Sequence, residues 1–489
     1  MLFLEITLLV VYGLCLLFVL GFSLTQFQLT RLARRAYRQG LAPEPAAPAV
    51  WPRVTVQLPL YNEVFVAERL IDACAALDYP TAQLHIQVLD DSTDETVALV
   101  AARVAYHQAR GLHIEQVRRP DRQGYKAGAL AYGLTHSEAE LVAIFDADFV
   151  PQPDFLRRTV PYFQEEPRLG VVQTRWGHLN EEYSLLTELQ AFGLNAHFHV
   201  EQLGRNAGGH FINFNGTGGV WRRSCIEDAG GWHADTLTED LDLSYRAQLR
   251  GWRFHYLPHV VAPAELPATL DALKSQQFRW TKGAAETARK HLRNVLRSGQ
   301  PLSTKLHATF HLLNSSVFVA ILVMALVSVP LVFVRADLPE LKPVLRVASV
   351  FLLAFVPLVY YYYTAWRLDK PTAPRWRFVA DFLLFLSVSM GLTLHNARAV
   401  LLGYRGRQSA FIRTPKLGLV KRAGGWRGRR YRTGDLLDGL TFTEGLLALY
   451  FAFGVGAGLY LGDWGLLPFH LMLTVGYGIV FLYSVRHRA

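Results

Sequence analysis

Carboxylates are missing from one stretch of this sequence. Between Arg405 and Arg432 stand ten lysines and arginines and no aspartate or glutamate. The whole chain carries a formal charge of +10, so this loop alone accounts for the excess. A basic loop beside apolar segments fixes membrane orientation or touches anionic lipid, and no nucleic-acid partner is expected. Cysteine is scarce too: Cys15, Cys74 and Cys225 lie too far apart for a disulfide framework or a thiolate metal site, and they read as buried free thiols. His197, His199 and His210 lack the cysteines or carboxylates that would complete a metal centre.

Charged residues are few overall, 18% against 51% hydrophobic, and the apolar excess is localised. Residues 6–25, 306–334, 347–366 and 464–485 are apolar runs of spanning length, and 445–462 is slightly shorter. A wholly soluble protein is thereby excluded. The first run begins near Glu5 rather than a basic segment and lacks a small-residue cleavage site, so it reads as a retained span. Arg31, Arg34, Arg35 and Arg38 follow it and by the positive-inside rule face the cytoplasm, which puts the N-terminus outside. Residues 378–403 are also apolar, yet a crossing there would place the basic loop outside and bury Asp381, His395, Asn396 and Arg398 in lipid. They are expected to be interfacial or re-entrant, leaving about five spans.

A Pro/Ala-rich linker at 39–53 opens a stretch of globular composition that lasts to about residue 306. RVTVQL, LHIQVL, LHIEQV and LVAIF read as buried strands, separated by helical patterns at 63–76, 94–108 and 124–136. This alternation predicts a parallel sheet covered on both faces. Ligands bind such sheets at the carboxyl ends of the strands, where PLYNE, DDSTDE and DADFVP fall.

Each polar motif has a plain and a chemical reading. Asp146 and Asp148, sharing a strand end, suit a hard divalent cation such as Mg²⁺ or Mn²⁺, although D-x-D alone is common. Ser92 and Glu95 fit a capping box, which leaves Asp90 and Asp91 unexplained; a carboxylate there can accept hydrogen bonds from a nucleobase or ribose. Thr238 and Asp240 can cap a helix, or Asp240 can act as a general base. Gly216, Gly218 and Gly219 permit close backbone approach to a sugar or simply form a turn. Arg279 and Trp280 suit a membrane interface as anchors.

Taken together, Asp90-Asp91, Asp146-Ala147-Asp148, Thr238-Glu239-Asp240 and the Q-x-x-R-W of Gln276, Arg279 and Trp280 resemble the signature of the processive family-2 glycosyltransferases, which include cellulose, chitin and hyaluronan synthases. QTRWGHLN, HFHVEQ, FNGTGGVWR and AGGWHADTLTEDLDL look like the cellulose-synthase-like mannan and glucan synthases. FIRTPK at 411–416 looks like a gating loop, with Arg413 in place of a usual valine.

The resemblance implies an α/β GT-A (Rossmann-like) cytosolic domain inserted between transmembrane helices, with interfacial helices besides. Its segments would be a transmembrane helix at 1–30, a linker at 31–52 and the GT-A domain at 53–265. Interfacial helices at 266–305, two spans within 306–366, an interfacial segment with the gating loop at 367–440 and a transmembrane hairpin at 441–489 would follow.

By the same resemblance, Asp240 with Glu239 would be catalytic. Tyr61, Asp90, Asp91, Lys126, Asp146 and Arg279 would bind a nucleotide-sugar donor, UDP-glucose or GDP-mannose, and Asp146 and Asp148 would hold Mg²⁺ or Mn²⁺. Gly216 and Trp280 would meet a polysaccharide acceptor, and Phe411, Arg413, Thr414 and Lys416 would gate. The product would be a β-linked, β-1,4 mannan, glucan or glucomannan passed across the membrane, plasma membrane in a bacterium or Golgi in a plant. Membrane lipids are the remaining expected partner. The competing readings are hexose transfer to a lipid, as in ceramide glucosyltransferases, and a non-catalytic nucleotide-sugar-binding transporter or scaffold.

Overall fold

The computed structural model describes residues 2–41, 43–337, 354–407, 409, 413–414, 416–419 and 438–486. Seven strands form one sheet: β1 (Val54–Leu60), β2 (Leu84–Asp90), β3 (Ile114–Val117), β4 (Leu141–Ile144), β5 (Leu169–His178), β6 (Gly219–Arg222) and β7 (Arg253–Ala264), in the order β3-β2-β1-β4-β6-β5-β7. The four strands expected from apolar runs are β1 to β4 and pair in parallel. The all-parallel expectation fails at β6, which runs antiparallel to both β4 and β5. Its register with β4, Ile144 opposite Gly219, brings the glycine turn of 216–218 beside the end of β4 where Asp146 begins.

One sheet face packs on a core that includes Val56, Ile86, Phe145 and Phe155. The other face packs on Leu130, Phe214 and Trp221, and this core extends to Ala33 of the first helix and to Tyr361 and Ala365. The first helix, Leu2–Gln39, is therefore more than a candidate span, because its carboxy-terminal half is built onto the sheet domain. Contact there is close: a Cβ on Gly204 would lie 2.4 Å from the carbonyl oxygen of Leu29.

Four helices are long and apolar enough to span a membrane: Glu5–Gln39, Ser316–Ala336, Gly439–Leu461 and Leu467–Arg486. The run expected at 306–334 is interrupted at Leu313, so its span starts at Ser316 and a separate helix, Leu302–Leu312, precedes it. The run expected at 347–366 lies partly outside the described residues, with Phe355–Asp369 as its described part. Residues 378–403 form a pair of helices, Arg375–Gly391 and Thr393–Tyr404, bent by 51°. The second of these packs on the long helix Leu270–Arg297 that carries Q-x-x-R-W, where His395 Nε2 is 2.9 Å from the carbonyl oxygen of Lys274. The first meets helix Leu467–Arg486 backbone to backbone, since a Cβ on Gly391 would stand 2.3 Å from the oxygen of Gly476.

One buried ion pair ties the Q-x-x-R-W helix to the last two helices. Lys274 Nζ donates to both carboxylate oxygens of Glu444, at 2.7 and 2.8 Å, and to Ser484 Oγ at 3.0 Å. The two side chains are 1% and 0% exposed, so removing one partner strands a buried charge, whereas removing both does not. Glu444→Leu alone is expected to cost about 3–5 kcal/mol and to lower the thermal unfolding midpoint of the detergent-purified chain. Lys274→Met combined with Glu444→Leu should recover most of that loss; an equal loss in both variants would refute the argument.

Candidate active site

A cavity of about 180 Å³ opens at the carboxyl ends of β1, β2 and β4. Its lining includes six carboxylates (Glu63, Asp91, Asp146, Asp148, Glu239 and Asp240) and five cations (Arg122, Lys126, Arg279, Arg413 and Lys416). Tyr61, Gly216 and Trp280 line it as well. The structure thus brings together nearly all the residues expected to act.

Two exceptions stand out. Asp90, expected to bind the donor, is 1% exposed and does not line the cavity. Its oxygens accept from the Ser92 amide at 2.9 Å and from Gln116 Nε2 at 2.7 Å, so it holds the turn after β2. Phe411 lies outside the described residues. The capping box expected at Ser92 and Glu95 does not form either: Ser92 Oγ accepts from the Asn62 amide at 2.8 Å, and Glu95 makes no side-chain cap.

Asp91 faces the cavity while Arg119 grips it through two bonds, at 2.7 and 2.6 Å. Arg119 also donates to the carbonyl oxygens of Gln123 and Tyr125, so Asp91 pins the turn that presents Lys126. That turn is strained, with Gly124 at φ 73° and Tyr125, a bulky residue, at φ 49°. Asn62, next to Tyr61 on the opposite rim, has φ 55°. The Arg122 guanidinium lies 3.3 Å from the centre of the Tyr61 ring, forming a stacked plane at the cavity edge.

Lys126 is the hub. Its ammonium lies 2.6 Å from Asp146 Oδ1, 2.9 Å from the Gly216 carbonyl oxygen and 3.7 Å from Glu239 Oε1. Burial alone would lower this lysine's pKa, but the carboxylates of Asp146, Glu239 and Asp240 outweigh burial and hold it above the ordinary value. Asp240 is affected in the opposite sense. Desolvation, reinforced by the neighbouring Glu239 and opposed by Lys126, raises its carboxyl to about 7. A Cβ on Gly216 would stand 3.1 Å from Asp240 Oδ2 and 3.4 Å from Lys126 Nζ, so the absence of a side chain keeps this corner open.

The loop that holds Thr238 to Asp240 rests on the Q-x-x-R-W helix. The Leu237 amide donates to Glu286 Oε2 at 2.8 Å, and Thr238 Oγ1 is 3.2 Å from Thr287 Oγ1. Thr238 forms no side-chain cap, so the plain reading does not hold for that residue. From the same helix, Arg279 donates to Thr414 Oγ1 at 2.8 Å. Trp280 stands 6.4 Å from Trp176, which is 5.3 Å from Phe149 and 5.2 Å from Phe198, so an aromatic row flanks the carboxylates.

Residues 413–414 and 416–419 lie against this space. Arg413 Nη1 lies 3.0 Å from Glu63 Oε2, the Lys416 ammonium pairs with Asp148, and the Leu417 amide donates to Glu265 at 3.1 Å. Burial pushes the Glu63 carboxyl up to about 8 against the pull of Arg413 and Lys416. Two lysines therefore stand on the two aspartates of D-x-D, Lys126 on Asp146 and Lys416 on Asp148. The donor chemistry fits a hard cation, since both aspartates present carboxylate oxygens into one cavity and already attract positive charge.

Glu63, Arg122 and Trp176 were not singled out in the sequence, although each lies just beyond a strand or in a stretch that carries the resemblance. The cluster His233, Asp235 and Asp242 has ligand atoms within 4.8 Å of one another. Asp242 there is already engaged by Arg246, Lys290 and His291.

The family "Glycosyltransferase like family 2" matches residues 52–283. Glucomannan 4-β-mannosyltransferase 2 of Arabidopsis thaliana is 37% identical over 385 residues, covering 77% of this chain and 69% of that protein. Glucomannan 4-β-mannosyltransferase 9 of the same plant is 35% identical over 414 residues, covering 82% and 75%. With glucomannan 4-β-mannosyltransferase 7, at 45% identity, the match spans 46% of that protein. Among solved structures, a mannosyltransferase from Pyrobaculum calidifontis in complex with GDP-Man and Mn²⁺ superposes with a TM-score of 0.51 at 22% identity, covering 73% of this chain and all of that one. That likeness is one of fold.

Gly216 generates a test of the geometry. Its φ of 81° disfavours any side chain, so Gly216→Ala should cost about 1–2 kcal/mol and lower the thermal unfolding midpoint. Gly299→Ala, where an added Cβ meets nothing within 4 Å, should leave it unchanged. Equal midpoints for the two variants would contradict the described turn.

Proposed function

The chain is a hexosyltransferase of glycosyltransferase family 2, and on that premise we propose that it transfers mannose from GDP-mannose to the growing end of a β-1,4-linked polysaccharide, inverting the anomeric centre and elongating processively. The similarity to glucomannan 4-β-mannosyltransferases over more than two thirds of two such proteins supports the choice of sugar and linkage. The observation that carries the chemistry is Asp240: a carboxylate raised to about 7 that lines the cavity together with Lys126 and Trp280.

A general base works best with a pKa near the working pH. Asp240 takes the proton from an acceptor hydroxyl as that oxygen attacks the anomeric carbon, and the bond from that carbon to the nucleoside diphosphate breaks. An α-linked donor thus yields a β-linked product. Glu239 keeps the Asp240 pKa high by repulsion and helps hold Lys126. Tyr61 and Arg122 offer a stacked plane to the base, while Asp91 borders the nucleoside end and anchors the Lys126 turn. Arg279 is placed for the diphosphate. Asp146 and Asp148 would hold Mg²⁺ or Mn²⁺, which when bound neutralises charge on the departing diphosphate. Trp280, backed by Trp176, offers a ring face on which an acceptor sugar stacks.

The cavity falls below the ~300–1,000 Å³ typical of small-molecule pockets, and Arg413 and Lys416 are part of its lining. On this reading Arg413, Thr414 and Lys416 withdraw or reorient when the donor enters, which is the gating role expected of them. The sheet domain, with four arginines after the first span and the basic loop of 405–432, lies on the cytosolic side, and the chain's membrane helices pass the polymer outward.

Inverted membrane vesicles given Mn²⁺ with labelled GDP-mannose or UDP-glucose test the reading. A mannanase-sensitive polymer from GDP-mannose, lost by at least a thousand-fold in Asp240→Asn, is expected; label recovered only in a single glycolipid would favour lipid transfer instead. The rate should also fall about ten-fold per pH unit below 7 as Asp240 becomes protonated, and a rate flat down to pH 5 would remove Asp240 from the role of base. Lys416→Ala should tighten Mn²⁺ binding, read by electron paramagnetic resonance without donor, because it frees Asp148.

A further inference from the structure

Away from the active site, the first helix leaves its basic segment facing a groove of about 770 Å³. Leu24, Phe27, Arg31, Arg35 and Arg38 follow one another at three- and four-residue spacing, and Gln28, Arg34 and Tyr360 complete the wall. The opposite face of this helix is fully buried at Leu29, Thr30 and Ala33 against the sheet domain, so the arginine face cannot turn inward. Arg34 donates to the Tyr360 hydroxyl at 2.8 Å with its guanidinium 5.4 Å from the ring, and the Arg31 guanidinium lies 6.0 Å from the centre of the Phe27 ring.

No carboxylate lines the groove, and among the described residues none of the four arginines forms an ion pair. Like charges one helical turn apart destabilise a helix, so this stripe is relieved by an anion. The groove is also graded along its length. Leu24 and Phe27, 52% and 37% exposed, stand at its apolar end, and the guanidinium groups follow one to three turns later. Inorganic phosphate satisfies the basic end only. A molecule carrying both a phosphate and an acyl chain satisfies both ends.

We propose that this groove is a binding site for one anionic phospholipid, its phosphate held by Arg31, Arg35 and Arg38 and its acyl chain lying along Leu24 and Phe27. The site belongs to the face of the helix opposite the sheet domain and shares no residue with the active-site cavity.

The test uses the full-length chain purified in neutral detergent and a fluorescent phosphatidylglycerol as probe. Unlabelled phosphatidylglycerol should displace the probe at least ten-fold better than phosphatidylcholine, and inorganic phosphate should not displace it. Arg31→Gln, Arg35→Gln and Arg38→Gln should each weaken binding about five-fold, and a multiple arginine variant combining the three should weaken it further, with Arg34 kept to preserve its contact with Tyr360. Gln28→Glu, which removes no arginine and adds one carboxylate to the groove, should weaken binding as well and carries the test if the multiple arginine variant does not fold. Displacement by phosphatidylcholine as good as by phosphatidylglycerol, efficient displacement by phosphate alone, or unchanged binding in Gln28→Glu would overturn the proposal.

Discussion

Crowding of like charge governs this molecule. Asp146, Asp148, Glu239 and Asp240 converge on a space of about 180 Å³, where four ionised carboxylates cannot coexist without positive charge between them. Lys126 supplies part of it from within the sheet domain, Arg279 adds to it from the Q-x-x-R-W helix, and Lys416 reaches Asp148 from 268 residues away in sequence. The strained turn at Tyr125 and the doubly gripped Asp91 keep Lys126 in place. Because neutralisation of the aspartates is divided between a fixed lysine and a covering loop, the electrostatics of the cavity and the position of that loop are one variable.

The Q-x-x-R-W helix converts that local arrangement into a link with the membrane. Over its 28 residues it contacts the last helical hairpin through Lys274, presents Arg279 and Trp280 to the cavity, and holds the loop of Leu237 and Thr238 through Glu286 and Thr287. A shift of this helix along its axis would move the aromatic face and the base together, preserving their spacing.

Much of this was legible in the sequence, for reasons that differ by element. β1, β2 and β4 are short apolar runs that end abruptly in acidic or polar residues, so both the strand and the edge of the site could be read from one pattern. β6 could not, since four residues within a glycine-rich stretch leave no periodicity, and β7 hides behind Pro258 and Pro263. Asp90 and Asp91 are indistinguishable by type, and only the strand's alternation sends one into the turn and the other into the cavity. The aspartates of D-x-D were legible, and Lys126 and Lys416 were named from the resemblance, but their pairing with those aspartates was not legible, because each pair meets only through the fold.

The pairing of Lys274 with Glu444 also orders events in the life of the chain. Glu444 lies in an otherwise apolar helix that is synthesised after the sheet domain and the Q-x-x-R-W helix. A lone carboxylate enters lipid reluctantly, so the hairpin settles stably only when Lys274 is already presented by a properly formed upstream helix. A single buried contact thus makes the last hairpin depend on the catalytic half: Glu444 is neutralised only where the Q-x-x-R-W helix already holds Lys274 in place.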